Sequence, residues 1–329
     1  MMRTAHLLPN FRSSFLPSSA RVARPLRPCS ARFTHRSISS STSSRTSDSS
    51  STRQLRDAQN KNTESPLAPI GVAAAVQAKQ DPSSVPARPK IFDEFALRDR
   101  VGIVSGGNNG LGLEMAMALC EAGARAVYTF DVEPEPSEDW VAVKEFVEKM
   151  GSRLEYANVD VTDQKKVWEH GDIIGDKEGR MDFCVAAAGV MEPHTPCLGY
   201  TAEQYRRVTS INCDGALFTA QAAGRQMERF GLPGSIVLIA SMSGSITNQG
   251  DARVAYNSSK SAVIQMARSL ACELAPLNIR VNSLSPGHIY TKLTAQYLDT
   301  DPGLLDKWSN LNPMGRIGRI DEIRGPIIW

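Results

Sequence analysis

The stretch Val101-Gly-Ile-Val-Ser-Gly-Gly-Asn-Asn-Gly-Leu-Gly112 decides the fold of this chain. Its first five residues indicate a short apolar strand, and the apolar positions Met115, Leu119 and Cys120 that follow it indicate a helix. The glycines between strand and helix recur as G-x-x-x-G-x-G. A strand, a glycine loop and a helix in this order are typical of a dinucleotide site, because the pyrophosphate can approach the positive helix N-terminus.

The glycines of this loop have distinct predicted tasks. Gly106 permits the tight turn, while Gly110 and Gly112 let the backbone and the helix come close to a pyrophosphate. The predicted cofactor contacts in the loop are Gly106, Asn109, Gly110, Leu111 and Gly112.

A second apolar strand, Ala126–Asp131, ends in an acid 25 residues after Gly106. A carboxylate at this position accepts hydrogen bonds from both adenosine ribose hydroxyls and repels a 2′-phosphate. Asn108 and Asn109 in the loop carry no positive charge that would offset the repulsion. We therefore expect NAD as the preferred cofactor, with NADP as the other possibility.

Further strands and helices alternate along the rest of the chain. Strands are predicted at 154–159, 182–187, 235–240 and 279–284, and helices at 137–150, 163–176, 201–229 and from Tyr256 onward. Apolar strands alternating with helices predict a single α/β domain, a doubly wound Rossmann-type parallel sheet with helices on both faces.

The helix from Tyr256 carries a second pattern, Tyr256-Asn-Ser-Ser-Lys260. Its apolar positions advance by three and four residues: Val263, Met266, Ala267, Leu270 and Leu274. Tyr256 and Lys260 are therefore neighbours on one side, and an ammonium beside a phenol lowers the phenol's pKa from about 10 towards neutrality. Tyr256 is a candidate general acid/base, although many solvated helices carry the same spacing.

Composition divides the chain into three segments. Residues 1–47 contain eight Arg and no acid, so the net charge of +2 leaves −6 for the remainder, and nothing favours nucleic-acid binding. Arg, Ser and early large apolar residues in 1–47 predict a mitochondrial targeting segment, the alternative being the disordered tail of a cytoplasmic protein. Residues 48–92 read as a disordered linker, and 93–329 as the folded domain.

The sequence shows no pattern that indicates a disulfide framework, a metal site or a membrane span. The six cysteines are scattered and read as free thiols, and no His, Asp or Glu cluster offers a metal site. No apolar run reaches the length of about 18 residues needed to cross a bilayer.

The region from about 96 to 329 resembles the short-chain dehydrogenase/reductase family. The matching residues are Ser105 to Gly112, Asp160-Val161, Ala188-Gly189, Asn212, Ser241, Tyr256-x-x-x-Lys260 and Pro286-Gly287. The resemblance implies an NAD(P)-dependent oxidoreductase that moves a hydride between nicotinamide and a secondary alcohol or ketone.

The resemblance also implies a role for each matching residue. Tyr256 would exchange a proton with the substrate oxygen, and Lys260 would lower the pKa of the tyrosine and hold the nicotinamide ribose. Ser241 would hydrogen-bond the substrate oxygen, and Asn212 would hold a water that links Lys260 to solvent. Asp160 would meet the adenine. The other implied cofactor contacts are Val161, Ala188, Gly189, Pro286, Gly287, Ile289 and Thr291.

The catalytic serine has two candidates. Aligning Gly234-Ser-Ile-Val with the family's fifth strand selects Ser241, whereas counting back from Tyr256 selects Ser243. We prefer Ser241, which makes Ser243 a wall of the substrate pocket.

The substrate is suggested by a narrower resemblance to fungal polyol and sugar-alcohol dehydrogenases of the arabinitol, mannitol, sorbose and xylulose type. The candidate substrate contacts are Ser243, Asn248, Gln249 and His288. Two alternatives stay open: a 3-oxoacyl or steroid-type carbonyl reductase, and a nucleotide-binding protein without turnover.

Two departures from the family pattern affect stability and assembly. Ala186 stands where an Asn usually ties neighbouring strands together. The chain also stops before the family's seventh strand, so we expect the sixth strand at the sheet edge and poor cover for Ile323, Ile327, Ile328 and Trp329. Two helices carry small side chains, and the resemblance implies that these helices pack against a second subunit in a homodimer; the family's tetramer would also use the missing end. The small residues are Ala216, Ala220, Ala222, Ala223, Ala262, Ala267 and Ala271.

Overall fold

The structure is a computed structural model that describes residues 71–81, 83, 91–247, 250, 252–300 and 303–329. The chain divides into two units, Met1–Pro86 and Ala87–Trp329. The predicted targeting segment lies outside the described residues.

The described part of the first unit is helix α1, Gly71–Gln80. It falls inside the segment predicted as a disordered linker, and over these ten residues the structure is helical. The run Ala73-Ala-Ala and the following Gln77, Ala78 and Lys79 supply strong helix formers, which the overall polarity of the segment obscured.

The second unit is built on six strands in the order β3-β2-β1-β4-β5-β6. Their bounds are β1 Val101–Ser105, β2 Ala126–Asp131, β3 Arg153–Asn158, β4 Phe183–Ala186, β5 Gly234–Ile239 and β6 Ile279–Leu284. Each neighbouring pair is parallel. The strand order reverses between β1 and β4, where a crevice opens at the carboxyl ends of the strands.

Helices connect the strands and cover the sheet. They are α2 Gly110–Glu121, α3 Glu138–Glu148, α4 Gln164–Glu178, α5 Ala202–Thr209, α6 Gly215–Phe230, α7 Val254–Leu274, α8 Lys292–Thr300, α9 Leu304–Leu311 and α10 Arg324–Ile328. No helix in the described ranges is long and apolar enough to span a membrane. The five cysteines from Cys120 onward are free, as predicted.

Two apolar clusters lie on opposite faces of the sheet. Ile103 belongs to the cluster with Val167 of α4 and Met227 of α6, whereas the adjacent Val104 belongs to the cluster with Met115 of α2. Successive side chains of a strand point to opposite faces, so both clusters draw on the same strand. The doubly wound α/β fold predicted from the sequence is confirmed.

Most of the small side chains that suggested a dimer pack against the sheet, although Ala262 is exposed. Five of the seven alanines lie in the subunit core, where they pack α6 and α7 closely on the strands: Ala216, Ala220, Ala222, Ala223 and Ala267. These five residues are therefore not available to contact a second subunit.

The C-terminal segment departs from its expected exposure. Ile323 and Ile327 are buried in the cluster of α2, so the expectation of poor cover is wrong for both. Arg324 anchors the segment, because its guanidinium pairs with Glu114 at 2.9 Å and also with Glu121. Trp329 is 84% exposed and fits the expectation. As expected, β6 lies at one edge of the sheet that the described residues form.

Asp182 joins β1 to β4 at their amino ends. Its carboxylate accepts hydrogen bonds from Val101 N at 2.9 Å, Arg100 Nη1 at 2.8 Å and Arg180 Nη2 at 2.7 Å. Burial acts to raise the pKa of Asp182, but these hydrogen bonds outweigh it and hold the pKa below its usual value. The carboxylate is therefore ionised in the folded chain and fixes the register of the two central strands.

We expect Asp182→Asn to lower the free energy of unfolding by about 2 to 3 kcal/mol at neutral pH, because two guanidinium groups lose a buried charged acceptor. Urea denaturation followed by circular dichroism measures this loss. Since the pKa is lowered on folding, the stabilisation is present above the unfolded pKa of about 4 and fades as the pH falls through and below it. The difference in unfolding free energy between wild type and Asp182→Asn should therefore decrease as the pH falls.

The matched control is Asp176→Asn. Asp176 is 65% exposed and pairs with Arg229 on the surface, so its loss should be below about 1 kcal/mol. Equal losses for the two variants would contradict the role given to Asp182.

Candidate active site

A cleft of about 1160 Å³ opens at the carboxyl ends of the strands. It is bounded by the glycine loop, the ends of β2, β4 and β5, the start of α7 and the segment 286–294. Its volume exceeds the usual range for sites of small ligands, about 300 to 1000 Å³. The cleft can therefore accommodate a large ligand together with a second small one.

The glycine loop forms one wall of the cleft by close backbone packing. A Cβ atom on Gly112 would lie 2.0 Å from Gly106 O, so α2 can approach the end of β1 only with glycine at this position. Gly110 has φ +55°, and a Cβ atom there would meet nothing within 4 Å. Open space at the N-terminus of a twelve-residue helix fits the pyrophosphate of a dinucleotide.

Carboxylates surround the end of the cleft beside β2. Asp131 accepts hydrogen bonds from Asn108 N at 3.0 Å and from Val132 N at 2.9 Å, and Glu133 also lines this end. Burial raises the pKa of the nearby Tyr156 to about 12, and the charges of Asp131 and Glu133 add to the effect. The local potential is therefore negative where a ribose with free hydroxyls would fit.

Asp160 lines the cleft just after β3. Its Oδ1 accepts hydrogen bonds from Thr162 N at 2.9 Å and from Thr162 Oγ1 at 2.8 Å. This turn fixes the carboxylate at the same end of the cleft as Asp131.

Lys260 lies at the opposite end, on α7. Its residue is 5% exposed, and Nζ donates a hydrogen bond to Ile239 O at 2.8 Å, where β5 ends. Burial lowers the pKa of Lys260 to about 8. Nζ lies 5.7 Å from the centre of the Tyr256 ring, one turn earlier on the same helix. The cation and the phenol predicted as neighbours therefore share this part of the cleft.

Asn212 lies behind the cleft, in the π-helical turn Ser210–Asp214 that joins α5 to α6. Its side chain accepts from Val190 N at 2.8 Å and donates to Val190 O at 3.0 Å and to Ser259 Oγ at 2.9 Å. A Cβ atom on Gly189 would lie 3.3 Å from Asn212 Oδ1 and 3.4 Å from Lys260 Nζ. The carboxamide and the ammonium therefore both lie next to Gly189.

Both candidate serines reach the cleft. Ser241 follows β5 in an extended conformation, and its Oγ accepts a hydrogen bond from Ser243 N at 3.2 Å. Ser243 lies in the turn Met242–Gly244 and also lines a second cavity of about 530 Å³. The arrangement agrees with Ser241 beside the strand end and Ser243 on the outer wall.

The other predicted cofactor contacts converge on the same cleft. Those that line it are Gly106, Asn109, Gly110, Leu111, Gly112, Asp131, Asp160, Val161, Ala188, Gly189, Tyr256, Lys260, Pro286, Gly287, Ile289 and Thr291. His288, a predicted substrate contact, lines it as well. The candidates Asn248 and Gln249 lie outside the described residues.

Several lining residues escaped the sequence analysis. The larger and charged ones are Phe130, Glu133, Arg207, Met242, Arg253, Lys292 and Trp308. Trp308 of α9 stacks on His288, with ring centroids 4.1 Å apart and planes 6° from parallel. These residues come from element ends and loops that are distant in sequence, so no spacing pattern connected them.

Comparison with known proteins agrees with this geometry. A family model described as enoyl-(acyl carrier protein) reductase matches residues 106–329. Over 242 residues the chain is 38% identical to the short chain dehydrogenases/reductase notP' of Aspergillus versicolor, covering 71% of this chain and 82% of that protein. The chain belongs to the short-chain dehydrogenase/reductase family.

Two further relatives of this short-chain dehydrogenase carry substrate names. Over 236 residues it is 34% identical to the sorbose reductase sou1 of Schizosaccharomyces pombe, covering 71% of this chain and 89% of the relative. A crystal structure of NAD⁺-bound xylitol dehydrogenase is 30% identical and superposes with a TM-score of 0.65, covering 70% of this chain and 91% of the other. The resemblance stated from the motifs is thereby confirmed at the level of the family.

The buried ammonium of this short-chain dehydrogenase has a measurable linkage to pH. The pKa of Lys260 is lowered on folding from 10.5 to about 8, so the buried charge opposes folding fully below pH 8. As the pH rises from about 8 to 10.5, the penalty disappears. We expect the unfolding free energy of wild type, relative to Lys260→Met, to rise by about 3 kcal/mol across this window.

Urea denaturation at a series of pH values, without cofactor, measures the difference. Lys165→Met sets the baseline, since the Lys165 side chain is 87% exposed. A difference between wild type and Lys260→Met that does not change with pH would contradict the lowered pKa.

Proposed function

We propose that this short-chain dehydrogenase moves a hydride between nicotinamide and a secondary alcohol or ketone of a polyol or ketose, with Tyr256 as the acid/base. One observation carries the proposal: Tyr256 and the buried Lys260 share a cleft with the glycine loop and Asp131. Sorbose reductase and xylitol dehydrogenase among the relatives favour a polyhydroxylated substrate.

The residues around Lys260 supply the proton chemistry. Bound nicotinamide would accept the hydride from the alcohol carbon, or return it to the ketone. Tyr256 takes the hydroxyl proton of the alcohol, and the ammonium of Lys260 near its ring favours the phenolate. The hydroxyl of Ser241 hydrogen-bonds the substrate oxygen as negative charge develops on it. Asn212, which lies next to Gly189 as Lys260 does, is the residue that would position a water between Lys260 and solvent.

We also propose NAD as the preferred cofactor. Asp131, Glu133 and Asp160 line the end of the cleft where the adenosine would lie. A 2′-phosphate would enter a negative potential there, whereas ribose hydroxyls would find a charged acceptor in Asp131.

We also propose that the chain forms a homodimer and is imported into mitochondria. The homodimer rests on the family resemblance, because five of the seven alanines that suggested it are buried within the subunit. Size-exclusion chromatography with light scattering tests it. Import into mitochondria is tested by microscopy of the full chain against one that starts near residue 90, and identical distributions would contradict it.

Tyr256→Phe should abolish turnover while NAD binding stays near normal, because the variant loses the proton acceptor and keeps the ring. Initial rates of NADH formation and calorimetric titration with NAD measure the two properties. The substrate panel contains pentitols, hexitols, 3-hydroxyacyl esters and steroid alcohols. Substantial residual activity would contradict the assignment of Tyr256.

The same panel, run on wild type, separates the proposal from its alternatives. Oxidation of only the 3-hydroxyacyl esters or the steroid alcohols would contradict the polyol substrate and support the 3-oxoacyl or steroid-type carbonyl reductase. NAD binding without oxidation of any substrate would favour a nucleotide-binding protein without turnover.

Asp131→Asn should lower the catalytic efficiency with NAD by roughly tenfold and raise the ratio of NADP to NAD efficiency by at least as much, because the ribose loses a charged acceptor and a 2′-phosphate loses a repelling charge. Values of kcat/KM with both cofactors measure the ratio. Glu135→Gln is the control, since it removes the same charge nearby without lining the cleft. An unchanged ratio, or a wild type that prefers NADP, would contradict the assignment.

A further inference from the structure

The described lining of the cleft is electrically polarised. All of its carboxylates, Asp131, Glu133 and Asp160, follow the ends of β2 and β3. Three cationic side chains of the lining, Arg207, Arg253 and Lys260, come from α5 and from the first part of α7 with its N-cap, whereas the fourth, Lys292 of α8, pairs with Asp139 at the start of α3. The acidic end suits the adenosine ribose, so the basic end lies where the substrate would meet Tyr256.

The two arginines at the basic end are fixed by one residue, Glu192. The guanidinium of Arg207 on α5 pairs with the Glu192 carboxylate, and Arg253 Nη1 donates to the Glu192 backbone oxygen at 3.1 Å. Glu192 itself is not among the described residues that line the cleft. A ligand in the cleft therefore meets the two guanidinium groups, while Glu192 stays outside the lining.

Position and burial make this cluster part of the substrate end. Arg253 is 9% exposed and immediately precedes α7, three residues before Tyr256. Arg207 lies on α5 and lines the cleft from a different element than Arg253. A guanidinium presents its N–H donors in a planar fork that matches both oxygens of a carboxylate, and partial exclusion of water strengthens such pairs.

We infer that the substrate of this chain carries a carboxylate, which Arg253 and Arg207 bind while Tyr256 addresses a secondary hydroxyl. The substrate class is a polyhydroxylated acid, an aldonate or its keto form, in place of a neutral polyol. This inference rests on the proposed dehydrogenase activity and narrows its substrate class. The arginines act as specificity residues: they hold the acid group and take no part in proton or hydride transfer.

The test compares substrates that differ only in the acid group. Wild type is assayed with D-gluconate and D-glucitol at saturating NAD, and kcat/KM for gluconate should exceed that for glucitol by at least tenfold. The advantage should shrink as the salt concentration rises, because the recognition is electrostatic. Equal efficiencies, or a preference for glucitol, would overturn the inference and leave the proposed dehydrogenase activity intact.

Variants assign the effect to the cluster. Arg253→Gln and Arg207→Gln should each lower kcat/KM for gluconate by roughly tenfold to a hundredfold, mainly through KM, with little change for glucitol. Arg206→Gln is the matched control, since Arg206 is an exposed neighbour on α5 that does not line the cleft. Arg207 is 57% exposed, so its variant keeps the test valid if Arg253→Gln does not fold. Equal losses for gluconate and glucitol would overturn the inference.

Binding without turnover separates this inference from the proposed activity. Calorimetric titration of gluconate into the Tyr256→Phe chain with NAD present should show binding, which the added Arg207→Gln substitution weakens at least tenfold. If wild type oxidises neither compound, this arginine-dependent binding still supports the carboxylate site while the dehydrogenase proposal fails. Absence of gluconate binding, or binding unaffected by Arg207→Gln, overturns the inference.

Discussion

The ammonium of Lys260 is held in the interior of the protein by one backbone oxygen, that of Ile239 at the end of β5. Burial lowers its pKa to about 8, so the folded chain carries a charge that its environment opposes at neutral pH. The hydrogen bond and the nearby Tyr256 ring offset part of this cost. The position of α7 on the sheet and the electrostatics around Tyr256 both depend on where this group lies.

Small residues make that placement possible. A Cβ atom on Gly244 would lie 2.7 Å from the Lys260 backbone, and one on Gly189 would lie 3.4 Å from Lys260 Nζ. The turn after β5 can therefore approach α7 this closely only with glycine at position 244, whereas a Cβ atom on Gly189 would lie at ordinary contact distance from the ammonium. The same principle acts at Gly112, where α2 meets the glycine loop. Both ends of the cleft are thus formed by close approach of backbone.

The parts that the sequence predicted well are those that local patterns encode. The bounds of β1, β2 and β6 agree with the apolar runs, since buried parallel strands leave a continuous signal. The residues of the glycine loop and the Tyr256–Lys260 pair also fell together in the cleft, because strand ends and helix starts meet at one edge of a parallel sheet. Shared geometry of this kind is readable from spacing alone.

Other features depend on contacts between distant segments. Ile323 and Ile327 are buried because Arg324 holds their segment against α2, and no local pattern announces such a contact. Arg207 and Arg253 meet at Glu192 from separate elements, so their convergence on the cleft was invisible in the sequence. The alanines of α6 and α7 were interpreted as a dimer contact, but most of them lie in the subunit core. Small residues suit close packing on the subunit's own sheet as well as packing on a partner.

We propose that one cleft binds a dinucleotide lengthwise, with its adenosine at the acidic end and its nicotinamide beside Tyr256. A crystal structure of the chain with bound NAD tests this most directly. We expect both adenosine ribose hydroxyls within hydrogen-bonding distance of Asp131 and the nicotinamide ribose within reach of Lys260. An adenosine ribose away from Asp131, or a nicotinamide at the opposite end from Lys260, would contradict it.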